Sequence, residues 1–141
     1  MTLLDYPGKI AATVFTGGCN FRCPFCHNAS LVFNDGNTQG ISEKDFFGFL
    51  SRRKGLLDGV CISGGEPLLQ EEIGRFIAET KSLGFLVKLD TNGSFPARLK
   101  DLVNNGLIDY VAMDIKNSPA GYAETAGTTE AVLSKIRESV D

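Results

Sequence analysis

Hydrophobic and polar positions along this chain follow two periods in turn. Short apolar runs, IAATVF (Ile10–Phe15), GVCIS (Gly59–Ser63), FLVKLD (Phe85–Asp90) and YVAMDI (Tyr110–Ile115), read as four buried strands. Helical spacing fills the intervals. Ser42 with Asp45 predicts a capped helix carrying Phe46, Phe47, Phe49 and Leu50, with Arg52, Arg53 and Lys54 near its C-terminal dipole. Ile73, Phe76 and Ile77 stripe a second helix that Gly84 ends. Pro96 starts a third, with Leu99, Leu102 and Val103 inward and Gly106 at its end. Val132, Ile136 and Val140 stripe a fourth. Residues 29–41 break the pattern and read as a loop or short helix.

Strand and helix in alternation predict an α/β fold with a parallel sheet and right-handed crossovers. Closing eight such units into a barrel takes about 250 residues. With about four βα units in 141 residues, the expected fold is an open, partial TIM-type barrel. A doubly wound dinucleotide-binding domain would show the same elements. No G-x-G-x-x-G follows the first strand, however, and no Walker A motif occurs.

Composition narrows the function classes. The chain is 43% hydrophobic and 22% charged, with a formal net charge of −3, which fits one globular domain. There is no basic stripe, so nucleic acid is not an expected partner. No apolar run approaches the roughly 20 residues of a membrane span. MTLLDYPGKI lacks the basic flank and apolar run of a signal peptide, so a cytoplasmic location is expected. In that reducing compartment, close-set cysteines point to metal or chemistry rather than disulfides.

Candidate chemistry follows each strand. TGGCNFRCPFC comes after the first, SGGEP (Ser63–Pro67) after the second, DTNG (Asp90–Gly93) after the third and MDIK (Met113–Lys116) after the fourth. In a parallel sheet these ends share one edge, where ligands bind. Taken singly, each has a structural explanation: a turn cap, a tight loop or a solvated lysine. Their common side has none. Haem attachment through Cys23, Cys26 and His27 would leave Cys19 without a role and need export. Zinc on Cys19, Cys23, Cys26 and His27 would ask adjacent Cys26 and His27 to reach one tetrahedron. A 4Fe–4S cluster on Cys19, Cys23 and Cys26 would keep one iron free of protein ligands, where a substrate can coordinate. Cys61, inside an apolar run, reads as a small buried hydrophobe. His27 reads equally as a neighbour of the cluster or as a loop residue, and Phe21 and Arg22 as packing around it.

The C-x₃-C-x-Φ-C motif, with Phe25 in the aromatic position, resembles that of the radical S-adenosylmethionine (SAM) enzymes. LLDYPGKIAATVFTGGCNFRCPFCHN, ISGGEP, KLDTNGS and DYVAMDIK are similar to the anaerobic ribonucleoside-triphosphate reductase activating proteins, relatives of the pyruvate formate-lyase activases. The resemblance runs from Leu3 to about Lys116. It implies that Cys19, Cys23 and Cys26 bind the cluster and that Gly64, Gly65 and Glu66 receive the SAM amino group. It further implies that Asp90, Thr91 and Asp114 surround a monovalent cation, with Asn92 and Lys116 also at the cofactor. The implied reaction is one-electron cleavage of SAM to a 5′-deoxyadenosyl radical, which takes hydrogen from a glycine in a partner enzyme. A flavodoxin- or ferredoxin-type donor would supply the electron. Family members continue past this length with further βα units, so residues 1–141 are expected to be one radical SAM core domain, either shortened at the C-terminus or minimal. Two rival readings remain: a radical SAM enzyme acting on a small molecule, as the deazaguanine-forming relatives do, and a non-catalytic iron–sulfur fragment.

Overall fold

Among the described residues four strands pair in parallel in the order β1 (Ala11–Thr16), β2 (Gly59–Gly64), β3 (Leu86–Thr91) and β4 (Tyr110–Met113). The computed structural model describes residues 1–33 and 39–141. A doubly wound sheet reverses its strand order partway; here each strand lies beside its successor, as in a barrel. The sheet is an open, partial barrel, as the element pattern predicts.

The helices are α1 (Ala29–Val32), α2 (Glu43–Ser51), α3 (Ile73–Ser82), α4 (Pro96–Asn104), α5 (Tyr122–Ala126) and α6 (Val132–Val140). The Ser42 hydroxyl accepts from the Asp45 N–H at 3.1 Å, the cap the sequence predicts for α2. Helix α1 bears out the loop or short helix expected at 29–41, of which residues 34–38 lie outside the described residues.

Side chains alternate across each strand, so every strand has two faces. Ala12, Val60, Ile62, Val87 and Leu89 pack with Leu50, Ile73, Ile77, Leu99 and Leu102 of the helices in the main core. The alternate positions Thr13, Cys61, Ser63, Lys88 and Asp90 lie on the other face, the inside of the partial barrel. Tyr6 stands near the lower end of that face, its ring 6.1 Å from Tyr110. Reading the strands as wholly apolar therefore misses half of each.

Three helix and strand expectations need correction. Val103 is 46% exposed, because Leu99 and Leu102 alone turn to the core and Val103 sits one step round α4. Val140, in the last turn of α6, is 64% exposed. Strand β4 ends at Met113, so Asp114 and Ile115 leave the sheet after the Asp114 N–H has reached Thr91 O at 3.0 Å.

Candidate active site

The chain leaves β1 through Gly17 and Gly18 into the cysteine loop, which several distant segments hold. Gly18 N–H donates to Leu31 O at 2.6 Å, Gln70 Nε2 to Gly17 O at 2.7 Å and Arg22 N–H to Ala126 O at 2.8 Å. Phe21 is buried edge-on against Tyr122, in a second apolar cluster with Ala126, Val132 and Ile136 that Cys19 and Cys23 also touch. Arg22 lies over the Phe33 ring at 5.1 Å. Helix α5, which the sequence pattern did not reveal, is thus a support of the cysteine loop. Its five residues are too few for a visible stripe.

The SGGEP segment runs hard against this loop. Gly65 N–H donates to Thr16 O and Glu66 N–H to Gly18 O, both at 2.9 Å. Gly64 has φ +118°, a conformation open to glycine. A Cβ on Gly65 would fall inside the van der Waals envelope of the Gly18 carbonyl oxygen. The pair of glycines therefore lets two backbones meet at the base of the cysteine loop. Gly65→Ala is expected to cost about 1–3 kcal/mol, the usual penalty of overpacking, measured by chemical denaturation of the metal-free chain.

Glu66 is the keystone of the next layer. It is 0% exposed, and its carboxylate accepts three hydrogen bonds. Oε1 takes Leu68 N–H at 3.0 Å and Thr91 Oγ1 at 2.8 Å; Oε2 takes Asn92 N–H at 2.7 Å. Burial pushes the Glu66 carboxyl up, while these three donors pull it back. The Asn92 side chain continues the chain of contacts. Its Nδ2 donates to Asn20 Oδ1 at 2.9 Å and lies 4.0 Å from Cys19 Sγ; Asn20 Nδ2 donates to Ser94 Oγ at 2.8 Å. The sequence offers no spacing that announces Asn20 or Ser94. Three strand-end loops are thereby tied together.

Below them, on the inner face of the sheet, Lys88 is 7% exposed and its ammonium is paired with Asp90 Oδ1. Lys88 Nζ also lies 3.6 Å from Cys61 Sγ, and Cys61 Sγ lies 3.5 Å from Asp90 Oδ2. Burial pushes the Lys88 ammonium down, but the hydrogen bond and charge of Asp90 outweigh it and the net direction is up. Burial, then the Asp90 charge, push the Cys61 thiol up to about 12. Cys61 is buried, as expected, but it faces an ion pair rather than the apolar core. Lys116 Nζ meets Asp114 Oδ2 at 2.6 Å.

These groups surround one cavity of about 590 Å³, within the roughly 300–1,000 Å³ of small-molecule sites. Cys19, Cys23, Cys26, Gly64, Gly65, Asp90, Thr91, Asn92, Asp114 and Lys116 all line it. So do Phe25, His27 and Lys88; Glu66 stands behind the wall. Among the described residues, no three His, Cys, Asp or Glu side chains gather closely enough to hold a single metal ion. Three thiols spread along one loop suit a multinuclear cluster, in which each thiolate meets its own iron, better than tetrahedral zinc. Burial raises the Cys19 and Cys23 thiols, so loading a cluster would release protons.

Comparison with known proteins gives this geometry a context. A candidate glycyl-radical enzyme activating enzyme of Methanocaldococcus jannaschii is 40% identical over 120 residues, covering 82% of this chain and 47% of the relative. The 7-carboxy-7-deazaguanine synthase of Hyperthermus butylicus is 36% identical over 98 residues, covering 68% of this chain and 40% of the relative. The chain thus spans less than half the length of these two relatives. The crystal structure of Streptococcus suis SuiB bound to precursor peptide SuiA superposes with a TM-score of 0.67 at 20% identity. That likeness covers 90% of this chain and 29% of SuiB, and it is a likeness of fold. The family model described as the Radical SAM superfamily matches residues 13–139. With that match laid over the cysteine loop, the two glycines and the cavity between them, the chain belongs to the radical SAM superfamily.

Proposed function

We propose that residues 1–141 form the radical SAM core of a glycyl radical enzyme activase, with anaerobic ribonucleoside-triphosphate reductase as its partner. The observation that carries this reading is the shared cavity, where three thiols of one loop face two glycines and two lysine-paired carboxylates. The 40% identity to the archaeal activating enzyme supports the glycyl radical partner over other radical SAM substrates.

In this reading Cys19, Cys23 and Cys26 hold a 4Fe–4S cluster, and SAM lies along Gly64, Gly65, Asp90, Thr91, Asn92, Asp114 and Lys116. When bound, the cluster and SAM supply a one-electron cleavage that yields a 5′-deoxyadenosyl radical. The chain's own residues position and shield. Gly64 and Gly65 expose backbone to the ligand without a side chain between, and the Lys116 ammonium offers charge to a carboxylate. The Asn92–Asn20 contact fixes the loop that carries Cys19. Glu66 holds the wall behind the ligand through Leu68, Thr91 and Asn92. A flavodoxin- or ferredoxin-type protein is the proposed electron source, and the cytoplasm the proposed location. Among the described residues no helix is long and apolar enough to cross a membrane.

The partner segment is proposed to reach the mouth of the cavity, where the cysteine loop and the ends of β2, β3 and β4 meet. The test is to mix the reduced, cluster-loaded protein with SAM and the reductase. A carbon-centred glycyl signal in electron paramagnetic resonance is expected, split by one remaining α-hydrogen and abolished when the acceptor glycine is replaced by alanine. The 36% identity to the deazaguanine synthase supports a second reading, a small-molecule substrate. SAM turnover with a purine-like compound, and no radical on the reductase or a lyase, would favour it.

A further inference from the structure

The cavity floor contains a charge, Lys88, to which the sequence pattern assigns no role. Lys88 is paired with Cys61 in the sheet register and precedes Asp90 by two residues, so all three face the inside of the barrel. A nearly buried ammonium on a cavity wall is costly unless it is paired, and this one is paired with a carboxylate that lines the same cavity.

The family resemblance implies a monovalent cation among Asp90, Thr91 and Asp114, and the donors do not converge on such an ion. Asp90 gives Oδ1 to Lys88 and Oδ2 to the Cys61 thiol. The Thr91 hydroxyl turns the other way, donating to Glu66 Oε1 at 2.8 Å and accepting from Gly93 N–H at 3.2 Å. Asp114 is held by Lys116. Asp90 and Asp114, the carboxylates that line the cavity among the described residues, thus each have an ammonium two residues away in the same segment.

We infer that Lys88 is a built-in cation for Asp90: a positioning residue whose ammonium stands where a monovalent metal ion would otherwise be required to hold the carboxylate against the bound ligand. The inference rests on the SAM-binding reading above. Among the described residues, the groups facing Lys88 are Asp90, Cys61 and, from below, Tyr6 with Asp109 beyond it. A lysine in this place makes the site indifferent to the salt around it. A bound K⁺ or Na⁺ would make it salt-dependent.

The test uses the full chain with K⁺ or Na⁺ as probes and tetramethylammonium at equal ionic strength as control. Without cluster or SAM, wild-type melting temperatures are expected to agree within about 1 °C in the three salts, since no ion binds the native state selectively. With the cluster loaded, the SAM dissociation constant is expected to agree within about twofold across them. Lys88→Met leaves Asp90 unpaired. It is expected to weaken SAM binding about tenfold or more in tetramethylammonium and to regain most of it in K⁺, while Lys88→Arg stays salt-indifferent. Melting that rises by several degrees in K⁺ or Na⁺ for the wild type would overturn the inference. So would wild-type SAM binding that needs K⁺, or a Lys88→Met protein as weak in K⁺ as without it. If Lys88→Met does not fold, the wild-type melts and Lys88→Arg still decide. Loaded wild type that binds no SAM in any salt would sink the SAM reading, while the metal-free melts would still judge the built-in cation.

Discussion

Alanine at Cys19, Cys23 or Cys26 is expected to reduce bound iron and sulfide to background in each case, whereas Cys61→Ala retains the brown cluster. Each of the three thiolates would carry one iron of a cubane that already has one iron without a protein ligand. Two thiolates leave half the irons uncoordinated by protein, and such a cluster is not retained. The three thiols line the cavity; Cys61 lies in β2 between Lys88 and Asp90, with its thiol held protonated by burial. Cys61 is not among the residues that line the cavity, and it sits on a strand apart from the loop that carries the other three. The measurement is iron and sulfide content per chain after anaerobic reconstitution. Iron lost as completely from Cys61→Ala as from Cys26→Ala would show that the fourth cysteine is a ligand.

Glu66→Ala is expected to destabilise the chain even with no cluster and no SAM present. The substitution strands the Leu68 and Asn92 N–H groups and the Thr91 hydroxyl, all of them buried. Each unsatisfied donor costs about 1–3 kcal/mol, so the sum is about 3 kcal/mol or more. That is a large share of the roughly 5–15 kcal/mol a domain has. The melting temperature should fall by about 10 °C. Glu66→Gln keeps the Oε1 contacts but sets an amide N–H₂ against the Asn92 N–H, so it should fall between wild type and Glu66→Ala. An unchanged melting temperature in Glu66→Ala would mean that the residue serves the ligand alone. Nothing in the sequence separates these roles, because SGGEP reads the same whether the carboxylate faces the cavity or the wall.

The strands were legible to within one or two residues because their apolar runs are short and bounded by turn residues. The helix cap at Ser42 was legible because a cap is local chemistry. The gathering of four strand-end segments followed from parallel topology alone. What stayed hidden depends on which face a side chain takes. Lys88 inside FLVKLD looks like a tolerated polar residue until the register sets it beside Cys61 and below Asp90. Val103 and Val140 fit their stripes by spacing, yet exposure depends on what packs against each helix, which spacing does not carry. Asn20 and Ser94 are ordinary loop residues in sequence; only the closeness of two loops makes them partners.

The central claim is that the cavity brings a three-cysteine cluster and SAM together for one-electron cleavage. Its most direct test is anaerobic reconstitution with iron and sulfide, reduction, addition of SAM and quantification of 5′-deoxyadenosine. The expected result is 5′-deoxyadenosine that requires SAM, reductant and all three of Cys19, Cys23 and Cys26, and that persists in Cys61→Ala. A chain that holds a full, reducible cluster and binds SAM yet forms no 5′-deoxyadenosine would contradict it.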